Sequence, residues 1–281
     1  MPTIRSNYSL ALGLLLACSP NPASAEVRDD LHPLLGARFH VDIGPFFPNK
    51  RLRLGVDGSV DPISPYIDFN GQLGLEAADE TFSLDVGWRF SSKWLLTAQY
   101  FESANRSARQ LDEDIEWEDL VFPAGSFVAA GSGFRLTSLF FGRALDTKER
   151  HEFGLGMGLD LIEINAYIEG RALDPDGGEF SGREAVRTDA PLPNIGAWYK
   201  YSISPSWAFR TRLHWIDASI DEYDGRVTNL SFGFNWRFSK HVGLGLNYND
   251  FELDLKVREA DWRGRVINRH DGLFLHLSGY W

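Results

Sequence analysis

The sequence predicts an all-β chain closed into a transmembrane, antiparallel, up-and-down barrel of about ten strands, with twelve possible. Long extracellular loops and short periplasmic turns would join them. Three observations carry this. Residues 228–248, TNLSFGFNWRFSKHVGLGLNY, alternate residue by residue. Leu230, Phe232, Phe234, Trp236 and Phe238 form one row, and Asn229, Ser231, Gly233, Asn235 and Arg237 the other; beyond a Ser-Lys turn, Val242, Leu244, Leu246 and Tyr248 face away from Gly243, Gly245, Asn247 and Asn249. Period two on both sides of a tight turn is a β-hairpin with one apolar face, and aromatic residues gathered near the turn suit the rim of a membrane barrel. The same pattern recurs along the chain. Finally, no apolar run after residue 25 approaches the roughly 18 residues of a spanning helix.

Composition narrows the classes further. The 281 residues carry a net charge of −11, which argues against nucleic acid, since that partner demands a basic face. Residues 1–25 read as a signal peptide: Arg5 supplies the positive region, Leu10 to Ala17 the apolar stretch, and Ala23-Ser24-Ala25 the small-residue cleavage site. The single cysteine, Cys18, lies within that segment in a setting resembling a bacterial lipobox, so lipidation and removal with the signal peptide both stay open. Residues 26–35 are expected to be a periplasmic lead-in and 36–281 the barrel. A mature body without other thiols suits an exported protein.

The elements follow in order. Ala37, Phe39, Val41 and Ile43 alternate with Arg38, His40 and Asp42 in a first strand that should end near Pro45. Residues 46–80, rich in Pro, Gly and Asp, read as a long loop with weaker strand pieces at 51–57 and 65–70, the source of the twelve-strand alternative. Phe82 to Phe90 and Trp94 to Tyr100 flank a Ser91-Ser92-Lys93 turn, and a polar excursion spans 103–131. A fourth strand covers about 132–145, its facing obscured by the adjacent Phe140 and Phe141. Phe153, Leu155, Met157, Leu159 and Leu161 alternate cleanly in the fifth. After a loop at about 166–192, Ile195 to Ile203 and Trp207 to Trp215 flank a Ser-Pro-Ser turn. The opening hairpin supplies strands eight and nine. Leu273, Leu275, Leu277, Gly279 and Trp281 form the last strand, and this terminal aromatic row looks like the signal that outer-membrane proteins present to the barrel assembly machinery. An even strand count places both termini in the periplasm.

Four segments together, IDFNGQLGLEAADETFSLDVGWRF (67–90), DIEWEDLVFPAG (114–125), TDAPLPNIGAWYKYSISPSWAFR (188–210) and DGLFLHLSGYW (271–281), resemble a family of small gammaproteobacterial outer-membrane barrels with no assigned biochemical role. The likeness covers most of the mature chain. It implies fold and outer-membrane location, and it transfers no catalytic residue.

Candidate chemistry sits on the polar rows. Arg38, Asp42, Asp85, Arg89, Glu152, Asp160, Lys200, Arg210, Arg212, His214 and Arg237 are expected to face the lumen. Charges of both signs in a poorly solvated interior would pair, and a ten-strand barrel is only slightly wider than the eight-strand case whose side chains fill it. A largely closed lumen is therefore expected, with a narrow, anion-preferring pore along the Arg-rich stripe as the alternative. Asp112, Asp114 and Glu116, with Glu113, Glu118 and Asp119, crowd one loop and are weak candidates for Ca²⁺. Asp174-Pro175-Asp176-Gly177 starts like a calcium loop but has Ala185 at its twelfth position. His276-Leu277-Ser278 matches the His-x-Ser spacing of lipid A deacylases, yet alternation turns both polar residues to the lumen, away from any lipid ester. Omptin-like proteases pair acids with an Asp-x-His element; Asp112 and Asp114 would be one pair, but the nearest partner, His214 with Asp217, has the wrong spacing for the Asp-x-His element. Gly154, Gly156, Gly158, Gly243 and Gly245 open no helix and are not phosphate loops. The expectation is a monomeric, non-enzymatic barrel without cofactors, whose partners are outer-membrane lipids and lipopolysaccharide.

Overall fold

A computed structural model describes residues 30–55, 66–75, 81–117, 120–173, 178–220, 223–258 and 263–281. The signal segment with Cys18, Glu118 and Asp119, and residues 174–177 lie outside them. Among the described residues a 3-10 turn, Pro33–Leu35, precedes thirteen strands: β1 (Phe39–Gly55), β2 (Ile67–Asp68), β3 (Phe82–Arg89), β4 (Trp94–Gln110), β5 (Ile115–Trp117), β6 (Leu120–Phe122), β7 (Phe127–Lys148), β8 (His151–Leu173), β9 (Glu179–Ser202), β10 (Trp207–Ile220), β11 (Tyr223–Arg237), β12 (Val242–Arg258) and β13 (Arg263–Tyr280). Ten of these close a ring in the order β1, β3, β4, β7, β8, β9, β10, β11, β12, β13, and back to β1. Closure is antiparallel, with Phe39 and Trp281 exchanging both backbone hydrogen bonds at 2.8 and 2.9 Å.

The ten-strand expectation holds and the twelve-strand alternative is corrected. Residues 51–55 continue β1, and the piece around 65–70 is the two-residue β2, laid against Arg53 and Leu54. Pro45 does not end the first strand. It coincides with a gap in the β1–β13 ladder between Ile43–Leu277 and Phe46–Phe274, while pairing with β3 continues at Pro45–Phe82. One missing donor costs one bond, and the flanking pairs hold the strand.

The strands are longer than the sequence suggests. Much of the expected loops at 103–131 and 166–192 is strand: β4 runs to Gln110, β8 to Leu173, and β9 starts at Glu179. A tilted membrane strand needs only about 9–11 residues, so β7, β8 and β9 project well beyond the bilayer. The adjacent phenylalanines of β7 resolve by simple alternation: Phe140 is inside at 2% exposure and Phe141 outside at 44%.

Within one continuous strand the hydrophobic phase inverts. On β12, Leu244 and Leu246 face outward, as do Asp250, Glu252 and Asp254 further up; Asn247 and Asn249 face inward, as do Phe251, Leu253, Leu255 and Val257. Strand β8 does the same, from exposed Leu159 and Leu161 to buried Ile162, Ile164 and Ile168. The medium dictates this. In the bilayer the outer wall must be apolar; above it the outer wall meets water and the interior becomes an ordinary core. That core gathers Leu54, Phe69, Leu73, Trp117, Phe122, Ile168 and Leu255 into one cluster. An Arg in place of Leu244, midway up the lipid-facing row, is expected to cost about 2–4 kcal/mol. Folding equilibria into liposomes measure it, and a wild-type midpoint would contradict the facing assigned to β12.

Candidate functional site

The interior of the membrane zone is where the charged residues meet. Asp42 on β1 accepts from the guanidinium of Arg210 on β10, which also lies 3.3 Å from His276 Nε2. Asn247, with its side-chain amide turned so that its oxygen meets the guanidinium, accepts from Arg210 as well. Arg212 Nη1 lies 3.4 Å from Asp85 Oδ1. Glu152 takes Arg89 at 2.6 Å, Lys200 at 3.6 Å and the indole N–H of Trp198 at 2.9 Å. Asp160 lies opposite Ser138 in the β7–β8 register, with Arg212 as a nearby charge. His214 stacks on Phe140 with ring centroids 4.4 Å apart.

Several of these contacts cross the lumen. Strands β3 and β10, which supply Asp85 and Arg212, are five positions apart in a ring of ten, so that pair spans the diameter. The same holds for Gln99 on β4 and Asn229 on β11, joined at 3.0 Å. Above them, the cavity bounded by Lys50, Asn105, Asn268 and His270 measures about 20 Å³, room for a single water. Below, the lead-in caps the periplasmic mouth. Leu34 packs on Ala208 and Tyr280, and the His32 amide donates to Ser202 Oγ at 2.9 Å.

His32 makes the cap acid-sensitive. Burial, and then the charge of Arg237, lower its pKa to about 4 from 6.5. Its neutral form is the folded one, so the cap is unaffected above pH 6.5 and loses stability as pH falls from there to about 4, by up to about 3 kcal/mol. Increasing proteolysis of the lead-in across that window, absent in His32→Phe, is the expected result.

Of the residues read as lumenal, Asp42, Asp85, Arg89, Glu152, Asp160, Lys200, Arg210, Arg212 and His214 lie inside. Arg38 is a correction: it precedes β1, is exposed, and lies over the Phe39 ring at 5.9 Å. Arg237 ends β11 at the periplasmic rim, near His32. Sequence reasoning does not single out Gln99, Trp198, Asn229, Asn247 or Tyr280 as members of the network, although all five are buried on inward-facing positions.

The enzyme-like spacings do not assemble. His276 and Ser278 are buried inside, as alternation predicts, but Ser278 Oγ at 3.1 Å and Asp42 Oδ1 at 3.4 Å both approach the same ring nitrogen, Nδ1, while Nε2 faces Arg210. A base relay needs nucleophile and orienting acid on opposite nitrogens. His214 is buried, whereas Asp217 is outside and bonded to Arg226 at 2.6 Å. Asp112 is taken by Arg109, and Asp114 accepts from the Ala124 amide at 2.7 Å. Glu116 is exposed on β5. Among the described residues no group of three or more His, Cys, Asp or Glu side chains is placed to hold a metal ion.

A single sheet closed on itself, with an apolar band outside and a polar, cross-tied interior, defines an outer-membrane-type β-barrel. No family model matches the sequence, and no curated protein matches it. Among solved structures, the outer membrane protease OmpT from Escherichia coli is similar with a TM-score of 0.57 at 10% identity, over 86% of this chain and 96% of that one. The Pseudomonas putida toluene transporter TodX gives 0.37 at 9% identity over 86% and 90%, and Ail of Yersinia pestis 0.32 at 9% identity over 86% and 98%. The likeness to OmpT is one of fold.

Proposed function

We propose that this protein is an integral outer-membrane barrel that neither conducts solutes nor catalyses a reaction, and that its long outer wall is its working surface, in contact with lipopolysaccharide. The observation that carries the reading is the pair of side-chain contacts between diametrically opposed strands, Arg212–Asp85 and Asn229–Gln99. A solute path along the axis would have to break them. The apolar core above and the Leu34 cap below support the same reading. The charge of the Arg-rich stripe is taken up by Asp42 and Asp85, which removes the basis for anion preference. Leu273, Leu275 and Leu277 lie exposed on the lipid face, and Trp281 is exposed at the strand's end, which suits the expected recognition by the assembly machinery.

The test is single-channel conductance of the refolded mature protein in planar bilayers, with insertion verified separately. Silence is expected. Reproducible steps whose ion preference changes when Arg210 and Arg212 are neutralised would replace this reading with the channel.

A further inference from the structure

The barrel wall has a seam. Strands β9 and β10 pair only from Ala208–Ser202 to Trp215–Ile195. Above that point β9 stays laddered to β8 as far as Glu179, and β10 to β11 as far as Ile220, so the two strands part company. Backbone direction explains why they do not zip. The Ser202 amide turns to Arg150, on the β8 side, and that of Ile203 to Trp207, so odd-numbered residues of β9 present their backbone groups to β10. Pro191 and Pro193 belong to that set and have no amide hydrogen to offer. The next odd residue, Asp189, has its carbonyl satisfied by the Tyr223 hydroxyl at 3.0 Å.

The height of the seam is informative. Pro193 and Pro191 lie opposite Leu159 and Leu161, the upper end of the lipid-facing row of β8. Trp215 and Ile195, at the foot of the seam, are 44% and 58% exposed. The outer surface here is continuous with the lipid-facing band and lies in its outer half. Arg187 stands four residues above Pro191, about 13 Å along the strand. It is largely exposed and pairs with Asp189 at 3.7 Å, a surface pair of little strength.

We propose that this seam is a binding groove for one lipopolysaccharide molecule, with an acyl chain along Pro191, Pro193 and Trp215 and a lipid A phosphate on Arg187. The inference rests on the reading of the outer wall as a lipopolysaccharide surface, and it names the place of contact. Pro191, Pro193, Ile195 and Trp215 form an outward apolar row beside the parting, which suits a hydrocarbon chain, while on the β10 edge the Asp217 carboxylate is already taken by Arg226. The cation above supplies the complement to a phosphate.

The test places a photo-crosslinking benzoylphenylalanine at Trp215 or, as a control on the far wall, at Phe82. The full chain is expressed in an outer membrane, extracted, and washed in mild detergent before irradiation. A lipopolysaccharide adduct is expected at Trp215 and not at Phe82, and Arg187→Glu should lower its yield roughly tenfold. Equal adducts at both positions, a phospholipid adduct instead, or indifference to Arg187→Glu overturns the groove. A third probe at Asn165, on the outer wall of β8, separates the two readings. Lipopolysaccharide captured there but not at Trp215 sinks the groove alone, and none captured anywhere sinks the wider proposal too.

Discussion

Replacing Glu152 by alanine is expected to destabilise the barrel by about 3–5 kcal/mol, the cost of breaking a buried ion pair by removing one partner. Glu152 accepts from Arg89 and the Trp198 indole and forms an ion pair with Lys200, and its side chain is 3% exposed. Without it two cations from β3 and β9 share a poorly solvated interior with nothing between them. Glu152→Gln keeps an acceptor for the indole but not the charge, and should fall between alanine and wild type. Urea unfolding of the refolded protein in detergent or liposomes measures both. A loss below about 1 kcal/mol for alanine, the range of exposed pairs, would mean that water reaches this layer and that the lumen is open at its periplasmic end.

The lipid-facing half of the fold is legible because one rule governs it. Between Trp207 and Trp215, or Leu273 and Leu277, alternate apolar residues face hydrocarbon, and turns such as Ser91-Ser92-Lys93 interrupt the rows where the chain leaves the bilayer. Above the bilayer the rule inverts without any break in the strand. Tyr248 faces out and Phe251 faces in, three residues later, so the apolar row shifts by an odd step and a reader following one face loses it. Leu161 followed by Ile162 is the same event on β8. The shift looks like the end of a strand, which is why the upper parts of β4, β8 and β9 read as loop. Prolines 191 and 193 strengthen that impression; in the structure they mark an unpaired edge.

The candidate site is legible only as a list of inward residues. Alternation places Asp85 and Arg212 in the lumen but does not say that they meet, because that depends on strand register and on which strands stand opposite each other around the ring. Arg38 falls on the wrong side for a related reason: the alternating pattern runs on through residues 37 and 38, ahead of the point where β1 begins. The interior polar residues without charge, Gln99 and Asn229 among them, carry no signal stronger than their parity.

The second large effect concerns the outer half of the interior. Trp117→Ala is expected to cost about 3–5 kcal/mol, the range for an aromatic side chain removed from a packed core. Trp117 is 1% exposed and meets Phe69 edge to face at 6.2 Å, tying the β5–β6 hairpin to the segment after β2. Were the hairpin a solvated loop, as its acidic residues suggest, the same change would cost less than about 0.5 kcal/mol. Unfolding midpoints decide between the two. The variant also separates the two closures of the lumen. If it unfolds at lower urea yet stays silent in planar bilayers, the layer of Arg212–Asp85 and Asn229–Gln99 closes the barrel without help from the core above it. If it conducts, the apolar core is the only barrier, and the cross-lumen contacts yield to water once that core is breached.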